Sequence, residues 1–233
     1  MQHVRSQQVT RKAKDGLQVQ RLTLTARGKP IFTLFPMIHV ADKTFFDRIM
    51  AEADSHDCVL KEGVDWRPVA RTTQNAYRNI SRGSPALAVQ PSGPDIPRAK
   101  WYNTDLDRDD FRQKWKKIPL FRRLFFHIAL RIAGLFLRFG KVRALLADAL
   151  ASSTVHDSKT LEGVFGKEFR QVVMDDRDAA LLRGCETVID RRPDDRVAVV
   201  WGAAHLPPLV RALSEKHGYR ISKREWITAI ATD

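Results

Sequence analysis

A chain of 233 residues with 43% hydrophobic and 29% charged side chains is long enough to bury a sizeable core and too apolar for wholesale disorder. Its two cysteines, Cys58 and Cys185, make neither a disulfide framework nor a zinc ribbon and read as buried thiols in a reducing compartment. The net charge of +13 is regional: residues 1–29 carry seven Lys/Arg against one Asp, residues 98–143 carry thirteen against four Asp, and the remainder sums to −2.

A regional basic surface suits an anionic partner, namely a membrane face, nucleic acid or an acidic protein. It also suits a solvated face that aids solubility. The N-terminal stretch is polar and basic and lacks the apolar core of a secretory signal. The expected location is therefore cytoplasmic, with peripheral contact to a membrane left open.

Residues 1–16 are polar and basic and end in the turn signal Asp15-Gly16. Leu17–Thr25 alternates apolar and polar side chains with period two and predicts a half-exposed strand. Ile31–Phe35 is more fully apolar and predicts a more central one. Ala26–Pro30 joins the two as a hairpin turn. Beyond His39, with Asp42 or Thr44 as N-cap, the residues Phe45, Phe46, Ile49, Met50 and Ala53 recur at three and four, which predicts an amphipathic helix on a sheet. Asp57–Gly63 predicts a short strand ending in Glu62 and Gly63. Strand, helix and strand make a βαβ unit. That unit puts His39 and Glu62 at the carboxyl edge of neighbouring parallel strands, where open α/β sheets place their sites.

Residues 68–82 read as a helix. Residues 83–97, rich in Gly and Pro, read as a loop with room for a short strand at Leu87-Ala88-Val89. Trp101–Asp107 reads as an acidic turn, and Asp107 to Asp110 as a helix start. Residues 111–147 hold ten Lys/Arg and no acid. Arg123, His127, Arg131 and Arg138 share one helical face, and apolar side chains fill most of the rest. Arg122, Arg123, Arg131 and Arg138 exclude a membrane span, since each Arg near a bilayer centre costs about 2.5–3.5 kcal/mol. Two readings stand: a helical insertion that packs on the core and caps the site, and an interfacial helix on an anionic membrane. A nucleic-acid helix is disfavoured because the apolar face is too wide for a helix lying alone in a groove.

Ala151–Thr160 reads as a polar connection and Leu161–Phe169 as a helix. Met174–Leu182 is a helix with a densely charged first turn, in which the neighbouring carboxylates can hold Arg177. After a turn at Arg191–Asp195, Val197–Trp201 is a strand feeding Gly202-Ala203-Ala204-His205. Leu209–His217 is a helix with Gly218 as its C-cap. Tyr219–Ile221 and Trp226–Ala231 read as two further edge strands.

His39 and His205 stand in matching contexts, each a few residues beyond a buried-looking strand, which suggests one site built from two related halves. Two histidines and a carboxylate suffice for a catalytic divalent metal with open positions for water. A nearby arginine can bind an anionic group or steady developing negative charge. The ordered set His39, Glu62, Asp176-Arg177-Asp178 and Gly202-Ala203-Ala204-His205, followed by Leu206-Pro207, resembles the TraB/PrgY/GumN/Tiki superfamily. The resemblance spans residues 17–65 and 165–222 and leaves out the basic middle. Trp101–Asp107 is similar to an acidic turn of GumN-like members. The early motif departs from the pattern, because Pro36 stands where the family has the first glycine of Gly-x-x-His, and proline fixes φ and removes a donor.

The resemblance implies an α/β fold with a mixed central sheet flanked by helices, two related strand–GxxH–helix halves and a cleft between them. The chain would then be a single domain over 1–233, with 98–150 as a basic helical insertion or cap. Tiki-like members are described as metal-dependent proteases, so the expected function is a metal-dependent hydrolase, of peptide bonds in the first instance. On this expectation His39, His205 and Glu62 hold a divalent metal cation or its water. Glu62, Asp176 and Asp178 supply catalytic carboxylates, and Arg177 orients substrate or transition-state charge. The alternative is a non-catalytic regulatory or binding module. It would use the cleft for a peptide or small ligand and the basic segment for an anionic membrane surface.

Overall fold

The computed structural model describes residues 9–64, 66–91, 100–136, 148, 151 and 162–232. Strand β1 (Thr10–Ala13) turns at Asp15-Gly16 into β2 (Gly16–Thr25). Gly16 takes φ +127°, and a Cβ there would lie 1.9 Å from the carbonyl oxygen of Ile230. Only glycine allows both the conformation and the approach. The expected hairpin is present: β2 pairs antiparallel with β3 (Ile31–Met37), setting Leu22 opposite Leu34 and Leu24 opposite Phe32.

From β3 onward the sheet is parallel. β5 (Cys58–Lys61), β7 (Trp101–Asn103) and β8 (Arg196–Gly202) complete the order β1-β2-β3-β8-β5-β7, and β9 (Arg220–Ala231) runs antiparallel along β2. The fold is α/β, with a mixed central sheet flanked by helices. Strand alternation divides two cores between the faces. Phe35, Val59, Ala198 and Val200 pack with α1 (Lys43–Asp54) on one side. Leu34, Leu60, Val199 and Trp201 pack on the other with α6 (Asp176–Arg191) and α7 (Leu206–His217).

Four details differ from the sequence reading. First, β3 and β5 are not neighbours, because β8 lies between them. Its run Val197–Trp201 is buried throughout, and a strand apolar on both faces is most stable at the sheet centre. Second, His39 leads first into β4 (Val40–Asp42), which pairs with β6 (Leu87–Val89) outside the main sheet. Asp42 does sit at the N-cap of α1, but its carboxylate accepts from the Ala231 amide at 2.8 Å and caps nothing. Third, Arg220–Ala231 is one strand. A register shift at Thr23/Leu24 skips Ser222 in its exposed polar stretch Ser222–Arg224, and a second at Leu17/Gln18 skips the buried Ala229. Fourth, Trp101–Asn103 forms the edge strand β7, with Trp101 buried.

The remaining helices gather beside the carboxyl edge of the parallel strands. They include α2 (Arg67–Ser81), α3 (Arg108–Lys116), α4 (Leu120–Phe136) and α5 (Lys167–Arg170). α3 begins as expected at Asp107, whose carboxylate accepts from the amides of Asp109 and Asp110 at 2.9 and 2.8 Å. α5 passes through a π-helical turn, Gln171–Asp175, directly into α6. Phe111, Trp115, Phe169 and Val172 form a third cluster here. No helix among the described residues is long and apolar enough to cross a membrane. The polar connection 151–160, except Ala151, and the part of the basic segment at 137–147, with Arg138, lie outside the described residues.

Candidate active site

Because β3, β8, β5 and β7 run parallel, the residues after their carboxyl ends share one edge of the sheet. Those residues are His39 after β3, Gly202–His205 at β8, Glu62 after β5 and Thr104–Asp105 after β7. The first turn of α6 brings Arg177 onto this edge. Its Nη2 donates to Glu62 Oε1, and also to Asp105 Oδ2 at 2.6 Å, while Nε donates to Asp105 Oδ1 at 2.9 Å. Nη1 faces His205 Nε2 at 3.3 Å. The side chains of Arg177, Glu62 and Asp105 are 11%, 11% and 0% exposed, so this is a desolvated ionic cluster rather than a surface bridge.

Burial alone would raise the Glu62 carboxyl. The Arg177 charge outweighs it and holds Glu62 down at about 2. Glu62 is therefore an ionised anchor across the physiological range. Burial opposes the charge on Arg177 as well, but the Glu62 and Asp105 carboxylates keep the guanidinium protonated. The second Glu62 oxygen accepts from the Gly202 amide at 2.6 Å. A Cβ on residue 202 would lie 3.1 Å from that oxygen and 3.4 Å from His205 Cδ2. Gly202 is needed for this close approach, since its φ of −50° and ψ of 134° suit any residue.

His205 is buried. Its Nδ1 lies 2.6 Å from Asp178 Oδ1. A carboxylate can only accept, so Nδ1 carries the proton, and Nε2, facing an Arg N–H, presents its lone pair. The ring stands edge-on to Trp201, with centroids 5.3 Å apart, and the Trp201 indole donates to Thr104 Oγ1 at 3.2 Å. Both imidazole nitrogens are thus committed to the protein.

His39 is the opposite case. Its ring is exposed and stacks on Tyr77 at 4.6 Å. It lines a cavity of about 310 Å³ whose polar residues include Glu62, Gln90 and Arg177, and whose walls include Val69, Phe111, Trp115, Phe126 and Phe169. The enclosure lowers the His39 pKa through desolvation, against the pull of Glu62 and a hydrogen bond to the Gln90 side chain. The ring keeps surface open to the cavity, so that desolvation is partial. His39 is neutral at pH 7 and able to accept a proton.

The chain's expected site residues divide accordingly. Glu62, Arg177, Asp178 and His205 join one bonded network, and His39 shares the cavity with Glu62 and Arg177. Asp176 does not join: its oxygens accept from Lys114 at 3.0 Å and Gln171 at 3.1 Å. The carboxylates flanking Arg177 in sequence do not hold it either, since its partners are Glu62 and Asp105. Asp105 is the site residue that sequence reasoning missed. The acidic turn Trp101–Asp107 was its one signal, and nothing local separates Asp105 from Asp107.

A divalent cation shared by His39, His205 and Glu62 does not fit this arrangement. Both Glu62 oxygens and both His205 nitrogens are engaged, and the ion would have to displace a guanidinium held by two carboxylates. Among the described residues no group of three or more His, Cys, Asp or Glu side chains is placed to hold a metal ion. Comparison with protein-family models, curated proteins and solved structures finds no match.

Proposed function

We propose that the chain is a hydrolase of acyl bonds, with peptide bonds as the first substrate class, working through His39 and Arg177. The observation that carries this reading is the accounting of Arg177's donors. A guanidinium has five N–H groups. The Nε hydrogen goes to Asp105, the two on Nη2 go to Glu62 and Asp105, and one on Nη1 goes to His205. The fifth, on Nη1, has no acceptor among the described residues, and Arg177 lines the same cavity as the open imidazole of His39.

A carbonyl oxygen entering the cavity would accept from that N–H. Neutral His39 would take a proton from a water as its oxygen attacks the carbonyl carbon, and would return the proton to the leaving group. Negative charge developing on the carbonyl oxygen is met by a guanidinium held rigid by Glu62, Asp105 and His205, so little reorganisation is needed at the moment of reaction. Asp178 fixes the His205 tautomer. The apolar walls would take the apolar side chains flanking the bond. The order of His39, Glu62, Arg177 and Gly202-x-x-His205, similar to that of the TraB/PrgY/GumN/Tiki superfamily, adds support of a general kind.

The test is turnover of a mixed peptide library, followed by mass spectrometry, with wild-type protein and His39→Gln. Cleavage by the wild type alone is expected, and chelation of divalent metals is expected to leave it intact. Equal cleavage by both proteins, or none by the wild type, removes the proposal.

A further inference from the structure

Helix α4 inverts the usual placement of apolar side chains. Leu120, Phe121, Leu124, Phe125, Ile128 and Ile132 recur at helical spacing, and all are exposed, Phe121 by 67%. At the helix end Phe136 reaches 80%. The other side of α4 is engaged with the protein. Gly134 lies against Ala76 of α2, where a Cβ would come within 2.9 Å of the Ala76 Cα. Phe126 packs on Trp115 and Phe169, with ring centroids 5.7 and 5.1 Å apart, as part of the cavity wall. Monomeric proteins seldom leave so long an apolar stripe to water without a partner.

The surrounding charge says what kind of partner fits. Residues 111–147 contain ten Lys/Arg and no Asp or Glu. Arg112, Lys116, Lys117 and Arg131 are exposed, and Lys116 and Lys117 lie four and three residues before the stripe that opens at Leu120. A second copy of the chain would set this basic segment against itself, like charge to like. An anionic bilayer surface offers headgroup charge and apolar acyl chains in one plane, the two features that a one-sided apolar helix with flanking cations matches. We propose that α4 is an interfacial helix that seats this protein on an anionic bilayer. Its apolar stripe enters the acyl boundary, and the flanking lysines and arginines meet the headgroups. The proposal is independent of the hydrolase reading.

The test uses the full chain and sedimented vesicles of phosphatidylcholine, alone or mixed with phosphatidylserine. Binding to the mixed vesicles is expected to be at least about tenfold tighter than to the neutral ones, and to weaken as salt rises and the Debye length falls below about 8 Å. Phe121→Glu combined with Leu124→Glu is expected to abolish binding while leaving the circular dichroism spectrum and unfolding midpoint unchanged. Arg131→Gln, which removes one charge at a single exposed position, is expected to weaken binding about fivefold. Three results overturn the proposal. One is no sedimentation with mixed vesicles at low salt. Another is wild-type binding by the double variant. The third is a wild-type dimer in sedimentation velocity that the double variant splits, with no vesicle binding by either form.

Discussion

The two strand-to-helix histidines begin from nearly the same local pattern and end in opposite states. His205 is buried, with Nδ1 bonded to Asp178 and Nε2 facing Arg177. His39 is exposed to the cavity and stacked on Tyr77. The strands that carry them are parallel neighbours, yet Gly202 pairs with Met37, and Pro36 pairs with Trp201. The proline that stands in for the first glycine in sequence is thus one residue out of step in space. After β8 the chain turns at once into a short 3₁₀ turn and α7, which draws His205 under Arg177. After β3 it makes the β4–β6 bridge instead, which leaves His39 on the cavity wall. One histidine holds the site together, and the other, hydrogen-bonded to Gln90, faces the cavity, so substitution should separate stability from activity.

The largest effect is expected where the network around His205 loses its cation. Arg177→Met leaves Glu62 and Asp105 as buried, uncompensated carboxylates, which should cost about 3–5 kcal/mol. For a chain of this size that corresponds to a fall in Tm of roughly 10 °C, measurable by thermal circular dichroism. Next in size is the contrast between the two histidines. His205→Ala removes a buried imidazole and strands Asp178, at about 2–3 kcal/mol. His39→Gln, at an exposed ring, should stay within about 0.5 kcal/mol of wild type. Urea titrations of both variants would settle the difference, and equal losses would break the comparison.

A pH effect of similar size belongs to Glu62. Its pKa in the folded chain is about 2 against an ordinary 4.5. The stabilisation is therefore fully present above pH 4.5 and lost as pH falls toward 2. The gap corresponds to about 3 kcal/mol. The stability advantage of wild type over Glu62→Gln should vanish across that window and nowhere above it. The smallest effect is expected at Gly202→Ala, where the new methyl crowds Glu62 Oε2 and loosens its bond from the residue 202 amide, at about 1–2 kcal/mol.

Much of this fold could be read from local pattern. The period-two run Leu17–Thr25, the apolar runs at Ile31–Phe35 and Val197–Trp201, and the carboxylate at the end of β5 each declare themselves within ten residues. What local pattern does not carry is pairing across the chain. β8 takes the central place between β3 and β5 because of burial on both faces, which no βαβ rule contains. Asp105 meets Arg177 across 72 residues, and its own neighbourhood offers only a row of acids. The metal expectation followed from counting ligand types. Whether those ligands are already bonded depends on that same long-range contact, because the arginine drawn in by Glu62 and Asp105 takes up their oxygens and faces the His205 lone pair.

The central claim is that His39 and the free N–H of Arg177 form the working face of the cavity. The most direct test is the pH dependence of kcat/KM for a cleaved peptide, in wild type and in His39→Gln. Because the cavity lowers the His39 pKa from its ordinary 6.5, the wild-type acid limb should fall below pH 6.5. His39→Gln should lose that limb and about 10²–10⁴-fold in rate with its unfolding midpoint unchanged. An unaltered limb and rate in the variant would contradict the account.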